Sequence, residues 1–277
     1  MSLKKDASGR RWVEVEVEVP GTPEQVWDAI ATGPGVSSWF VPTEVEEGEG
    51  GTPVKVVSHF GPGMDSVAAV TAWEPPRRFA AESEDLGANA PPVVTEWIVE
   101  ARSGGTCVVR VVHSLSTSSD DWDDQLTSWE YGWPDFFRIL RLYLTHFHGQ
   151  RGSAFQLMGV APEPASEAWD ALTGSLGLSG AAMGERRSTA AGAPPLAGLV
   201  ELSGEGEDSH QLLLRLDEPA PGIAHLFAMP MGGQVYLVIR FYLYGDRAAA
   251  AVAREEPSWQ AWMKEQFPSA GDASNVA

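Results

Sequence analysis

His113 is the polar side chain that sequence places best for chemistry. In "TCVVRVVHSL" the alternate set Cys107, Val109, Val111, His113 and Leu115 is apolar, while Arg110 and Ser114 belong to the other set. Alternate residues of a strand share a face, so the imidazole is carried inward among aliphatics. There it is either a satisfied core histidine or the polar group of a pocket. A second question comes from "TSWEYGWPDFFRILRLYLTHFHG", residues 127–149. Trp129, Trp133, Phe136, Phe137 and Leu140 recur at helical spacing where leucines would fill an ordinary core. The rings plug a large core, or they line a cavity that holds something else.

Other reactive types read more plainly. His146 and His148 are the close histidine pair, but positions two apart at a helix end diverge, so no metal site is expected. Histidines there also suit the negative end of the helix dipole. Asp120, Asp121, Asp123 and Asp124 cluster at a helix start, where capping accounts for them. Cys107 is the single cysteine; it excludes an internal disulfide and sits in a strand-like run as an inert buried thiol. There is no Ser/His/Asp motif in context, no Walker loop and no dinucleotide fingerprint, and no cofactor is expected.

The elements that must position these residues are legible. "WVEVEVEVP" alternates Val13, Val15, Val17 and Val19 against Glu14, Glu16 and Glu18, a half-buried antiparallel strand. "GTPEQVWDAIAT" follows as a helix, with Thr22 and Gln25 at capping-box spacing and Pro23 in its first turn. Gly33, Pro34 and Gly35 break it, and "VSSWF" reads as a second short helix carrying Trp39 and Phe40. Strand runs with turn signals between them fill 52–117: "TPVKVVSHF", "DSVAAVTAWE", "RRFAAESE", "VVTEWIVEA" and "TCVVRVVHSLS". Parity groups Trp97 with Thr95 and Val99, Trp73 with Thr71 and Val67, and Phe60 with Ser58 and Val56. Pro134 must kink or restart the long helix that follows.

The pattern then begins again. "AFQLMGVAPEPASEAWDALTGSLGLSG" repeats strand, proline-containing entry and helix, and Trp27-Asp28-Ala29-Ile30 matches Trp169-Asp170-Ala171-Leu172. A loop, "GERRSTAAGAPP", precedes strands near 196–204, 210–217, 222–229 and 234–244 and a closing helix from about Asp246 to Phe267. This predicts two domains, 1–150 and 151–277, as a tandem duplication with a degenerate second copy. A chance four-residue match in an unrelated second domain is the alternative.

At 277 residues with 43% apolar content, the chain can build two cores. Nineteen Lys and Arg face 38 Asp and Glu, a formal charge of −19. That excludes a nucleic-acid backbone as partner and disfavours anionic lipid. "MSLKKDASGRR" has no apolar leader core and no apolar run is long enough for a bilayer, so a cytoplasmic protein is expected.

Two stretches, "VEVEVPGTPEQVWDAIATGPGVSSWF" and "WEYGWPDFFRILRLYL", resemble the START-like (SRPBCC) superfamily of polyketide cyclases and birch-pollen-allergen-like proteins. The resemblance is to the bacterial branch related to the activator of the 90-kDa heat-shock chaperone ATPase. Pro23, Val26, Trp27, Ala29 and Ile30 match its first helix, and Gly132, Trp133, Phe137, Leu140, Tyr143 and Leu144 its last. It implies an α+β helix-grip fold, a curved antiparallel sheet around a long C-terminal helix. A cavity between them would be lined by Trp39, Phe40, Phe60, Trp73, Trp97, His113, Trp129, Trp133, Phe136, Phe137 and Leu140. The second half lacks the "G-W-x-x-x-L" helix, so no working cavity is expected there. The resemblance implies binding of a small apolar or aromatic ligand. It leaves open a cyclase-type enzyme using His113 or Tyr131 as acid or base, and a regulator that binds a chaperone or other protein. A homodimer is also open.

Overall fold

A computed structural model describes residues 3–60, 63–83, 90–117, 119–204 and 210–268. The chain divides into two compact units, Met1–Gly149 and Gln150–Ala277.

In the first unit β1 (Lys4–Lys5) and β2 (Arg10–Pro20) lead into α1 (Pro23–Ala31) and α2 (Gly33–Ser37). A meander follows: β3 (Thr43–Glu47), β4 (Pro53–His59), β5 (Asp65–Glu74), β6 (Arg78–Ser83), β7 (Val93–Arg102) and β8 (Thr106–Ser116). The long helix α3 (Asp123–His146) ends the unit. The eight strands form one antiparallel sheet in the order β1-β2-β8-β7-β6-β5-β4-β3. The valines of β2 face the core: Val13, Val15 and Val19 are buried, while Glu16 and Glu18 are exposed. Thr22 builds the expected capping box, accepting from the Gln25 amide at 3.3 Å while Gln25 Oε1 accepts from the Thr22 amide at 2.9 Å.

Several sequence readings are corrected here. Gly33-Pro34-Gly35 does not separate two helices; it is the first turn of α2. Proline is tolerated there because its missing N–H would be unpaired anyway, and the Thr32 hydroxyl caps the turn by accepting from the Gly35 amide. Trp39 and Phe40 therefore lie just past the helix. The strand β3 was hidden in a Glu-rich stretch, a poor strand former that serves on a sheet edge. Parity breaks inside β5. A register shift between Val70 and Ala72 puts Trp73 opposite Phe79 but turns Val67 outward, where it is 49% exposed. Asp120 and Asp121 make no side-chain cap on α3. Asp120 and Asp123 instead hold Lys5 and the buried Arg11, with Arg11 Nη1 at 2.6 and 2.7 Å from the two carboxylates. The helix runs on through Pro134.

The second unit has β9 (Gly152–Ala161), α4 (Ala165–Leu176), β10 (Arg186–Ser188), β11 (Ala197–Ser203), β12 (Gln211–Glu218), β13 (Gly222–Met231), β14 (Gln234–Tyr244) and α5 (Ala248–Gln266). Its sheet order is β10-β11-β12-β13-β14-β9. In both units the strand before the first helix pairs with the last strand of the meander, β2 with β8 and β9 with β14. Both then close with a long helix. The fold is thus a tandem of helix-grip units, the second with a shorter meander and, among the described residues, no counterpart of α2. "GERRSTAAGAPP", read as loop, contains β10, a three-residue edge strand pairing Arg186–Ser188 with Ala197–Leu199.

The inner face of the second sheet is filled. Leu214, Leu226, Leu237, Ile239 and Phe241 are fully buried against α4 and α5, and Trp259 of α5 lies 5.0 Å from Phe241. Trp259→Ala is expected to cost about 3–5 kcal/mol, the range for deleting a packed aromatic. Denaturant unfolding followed for the second unit checks this, and an effect below about 1 kcal/mol would mean that Trp259 is not a tightly packed core residue.

Candidate functional site

The first sheet closes on α3 incompletely and leaves a cavity of about 730 Å³. The strands supply one wall in alternate residues: Val56 and Ser58 of β4, Ser66 and Ala68 of β5, Phe79 and Ala81 of β6, Val93, Thr95 and Trp97 of β7, and His113 of β8. The opposite wall is a stripe of α3, Trp129, Gly132, Trp133 and Phe136, at the i, i+3, i+4, i+7 spacing of one helix face. Phe40 and Phe60 close one side.

The rings are locked against one another. Trp133 is 5.1 Å from Trp97 at 90°, and Phe40 lies 5.3 Å from Trp133 and 4.5 Å from Phe136. Such edge and offset contacts fix the wall's shape. His113 stacks on Trp133 with centroids 5.7 Å apart.

One polar chain runs through this apolar wall. Trp133 Nε1 donates to His113 Nε2 at 2.7 Å, and His113 Nδ1 lies 2.9 Å from Thr95 Oγ1. An indole N–H can only donate, so Nε2 must accept. The neutral ring then carries its proton on Nδ1 and donates it to Thr95. Burial pushes the imidazole down to about 4, so it is neutral at pH 7.

Seven of the eleven residues expected around a cavity meet there: Phe40, Phe60, Trp97, His113, Trp129, Trp133 and Phe136. The other four lie elsewhere. Trp39 is buried and donates from Nε1 to the Ala29 carbonyl at 2.8 Å, tying α1 to the segment after α2. Trp73 shares the inward face but stands past the bulge, packed on Trp27 at 4.9 Å. Phe137 and Leu140 fill the core beneath the helix. Tyr131 is 76% exposed, off the inner stripe, and does not reach the cavity. Cys107 is buried with its thiol pushed up by burial, as an inert thiol should be. Among the described residues no three His, Cys, Asp or Glu side chains are placed to hold a metal, and no helix is long and apolar enough to cross a membrane.

Thr95 and Gly132 line the cavity without having been among the expected lining residues. The signal was present for both: parity had put Thr95 beside Trp97, and Gly132 lies within the aromatic stripe itself.

An antiparallel sheet gripping a long helix over a lined cavity defines a class, the helix-grip proteins. The family model described as "Polyketide cyclase / dehydrase and lipid transport" matches residues 10–127. The match lies within the first unit, which is thereby similar to the START-like (SRPBCC) superfamily. Among solved structures it is similar to the di-domain ARO/CYC BexL from the BE-7585A biosynthetic pathway, at 13% identity over 94% of this chain and 99% of that one, with a TM-score of 0.44. CalU16 from Micromonospora echinospora is 16% identical over 52% of this chain and 83% of its own, TM-score 0.40. The Aha1 dimer protein from Colwellia psychrerythraea is 17% identical over 50% and 98%, TM-score 0.38. No curated protein sequence matches the chain.

Proposed function

We propose that the first unit binds a small apolar or aromatic molecule in the cavity between its curved sheet and α3. The observation that carries this is unfilled volume. A stripe of large rings would normally collapse into a packed core, yet Trp97, Trp129, Trp133 and Phe136 surround about 730 Å³. That is within the range of roughly 300–1,000 Å³ found for small-molecule sites, and the lining is apolar with a few placed polar groups. The family description, covering cyclisation, dehydration and lipid transport, supports a ligand-binding or cyclase-like function. Of the two, binding fits the polar groups better. His113 has both ring nitrogens engaged within the wall, and Tyr131 lies on the solvent side of the helix. Neither is poised as a general acid or base.

Native mass spectrometry of freshly purified protein tests this, beside the same sample denatured. A mass excess that disappears on denaturation is expected, and its value would begin to name the ligand. Bare protein in both, together with no saturable uptake of an added neutral aromatic compound, would sink the proposal.

A further inference from the structure

The hydrogen-bond chain in the cavity wall has a direction, and it ends on one unused proton. Trp133 donates to His113, and His113 donates to Thr95 Oγ1, which therefore acts as the acceptor in that bond. The hydroxyl proton of Thr95 is left over, on a side chain that lines the cavity. Ser58 on the same wall has no such surplus. Thr43 Oγ1 donates to the Val41 carbonyl at 2.9 Å, so in the 3.2 Å contact between the two hydroxyls Ser58 must donate to Thr43. Ser128 of α3 is exposed at the mouth. Chains of hydrogen bonds polarise one another, which makes the terminal Thr95 O–H a better donor than an isolated hydroxyl.

Charge narrows the choice further. Among the described residues the lining contains no Lys and no Arg, and its one formally charged side chain is Asp65, a carboxylate bonded to His59 at 2.9 Å. A ligand carboxylate or phosphate entering this wall would lose its hydration without gaining a cation. The formal charge of −19 opposes it at long range as well.

We infer that the cavity selects a neutral, flat aromatic carbonyl compound, that Thr95 is the specificity-determining donor to its carbonyl oxygen, and that fatty-acid-like anions are refused. The inference rests on the reading of the cavity as a binding site. The rings that surround the cavity, Trp97, Trp129, Trp133 and Phe136, enclose the aromatic body, and Thr95 fixes which way round it lies.

Three probes of nearly one shape test this by tryptophan-fluorescence titration: 9-fluorenone, fluorene, which lacks the acceptor, and 9-fluorenone-2-carboxylate. The fluorenone-to-fluorene affinity ratio is expected to fall about five- to tenfold in Thr95→Val, the worth of one neutral hydrogen bond. It should return in Thr95→Ser, which keeps the hydroxyl and controls for the His113 N–H that valine leaves unpaired. In the unmodified protein the carboxylate should bind at least about tenfold more weakly than fluorenone. An unchanged ratio in Thr95→Val, or a carboxylate that binds as well as the ketone, overturns the inference; saturable binding of fluorene would then leave the binding site standing. If none of the three binds saturably, the underlying reading fails and takes the inference with it.

Discussion

Gly132→Leu is expected to close the cavity to ligand while leaving the first unit at least as stable as before. Gly132 sits in the interior of α3, in the stripe between Trp129 and Trp133, and a Cβ built there meets nothing within 4 Å. A glycine inside a helix costs about 1 kcal/mol relative to alanine, so the chain carries a destabilising residue at a position where sterics do not demand one. Gly132 is exposed and lines the cavity, so the open space beside it is at the cavity mouth. A leucine side chain would occupy that space, bury apolar area and recover the helix propensity, each of which favours folding. Binding of a neutral aromatic probe should fall by about a hundredfold or more, since a rigid ring cannot share volume with the new side chain. Gly132→Ala is the control: it should gain about 1 kcal/mol in denaturant unfolding and change affinity only a few-fold. Undiminished binding in Gly132→Leu would mean that the ligand lies elsewhere.

The second large effect is on pH dependence. His113 is held down to about 4 by burial, against an ordinary value near 6.5 in the unfolded chain. Between those values the unfolded state takes up a proton that the folded state refuses. Stability is therefore full above about pH 6.5 and is lost as pH falls towards 4, by at most about 3 kcal/mol for this one group. One ring edge faces the cavity, so that figure is an upper bound. Gln can accept from Trp133 and donate to Thr95 without titrating, which makes His113→Gln the comparison. Urea midpoints at pH 7.5 and 4.5 should separate more in the unmodified protein than in the variant. Equal separations would show that the imidazole protonates in place.

Much of this site could be read from sequence because strand alternation and helical spacing are local rules. They gave the inner set of β7 and β8, the stripe of α3, and the capping box at Thr22 without any long-range information. What escaped depended on partners. The bulge in β5 reverses parity between Val67 and Trp73, and only pairing with β6 reveals it. Trp39, Phe137 and Leu140 carry the same residue types as the lining but face the core, a distinction set by where the sheet stops closing on the helix. The direction of the Trp133–His113–Thr95 chain required distances. In the second unit the missing "G-W-x-x-x-L" spacing had already spoken against a cavity, but that Trp259 packs on Phe241 in the interior needed the structure.

The pairing of first strand with last has a consequence for how the chain is made. Arg10 lies opposite Ser116 in β2 and β8, so the N-terminal strand emerges from the ribosome long before its partner exists. Until β8 follows, the β8-facing edge of β2 must wait unpaired, because closing so long a loop has to precede the contacts that reward it. The same delay recurs when β9 waits for β14, with Gly152 opposite Tyr244. The alternating glutamates of β2, three in a row of valines, keep that waiting strand charged and resistant to pairing with the wrong neighbour.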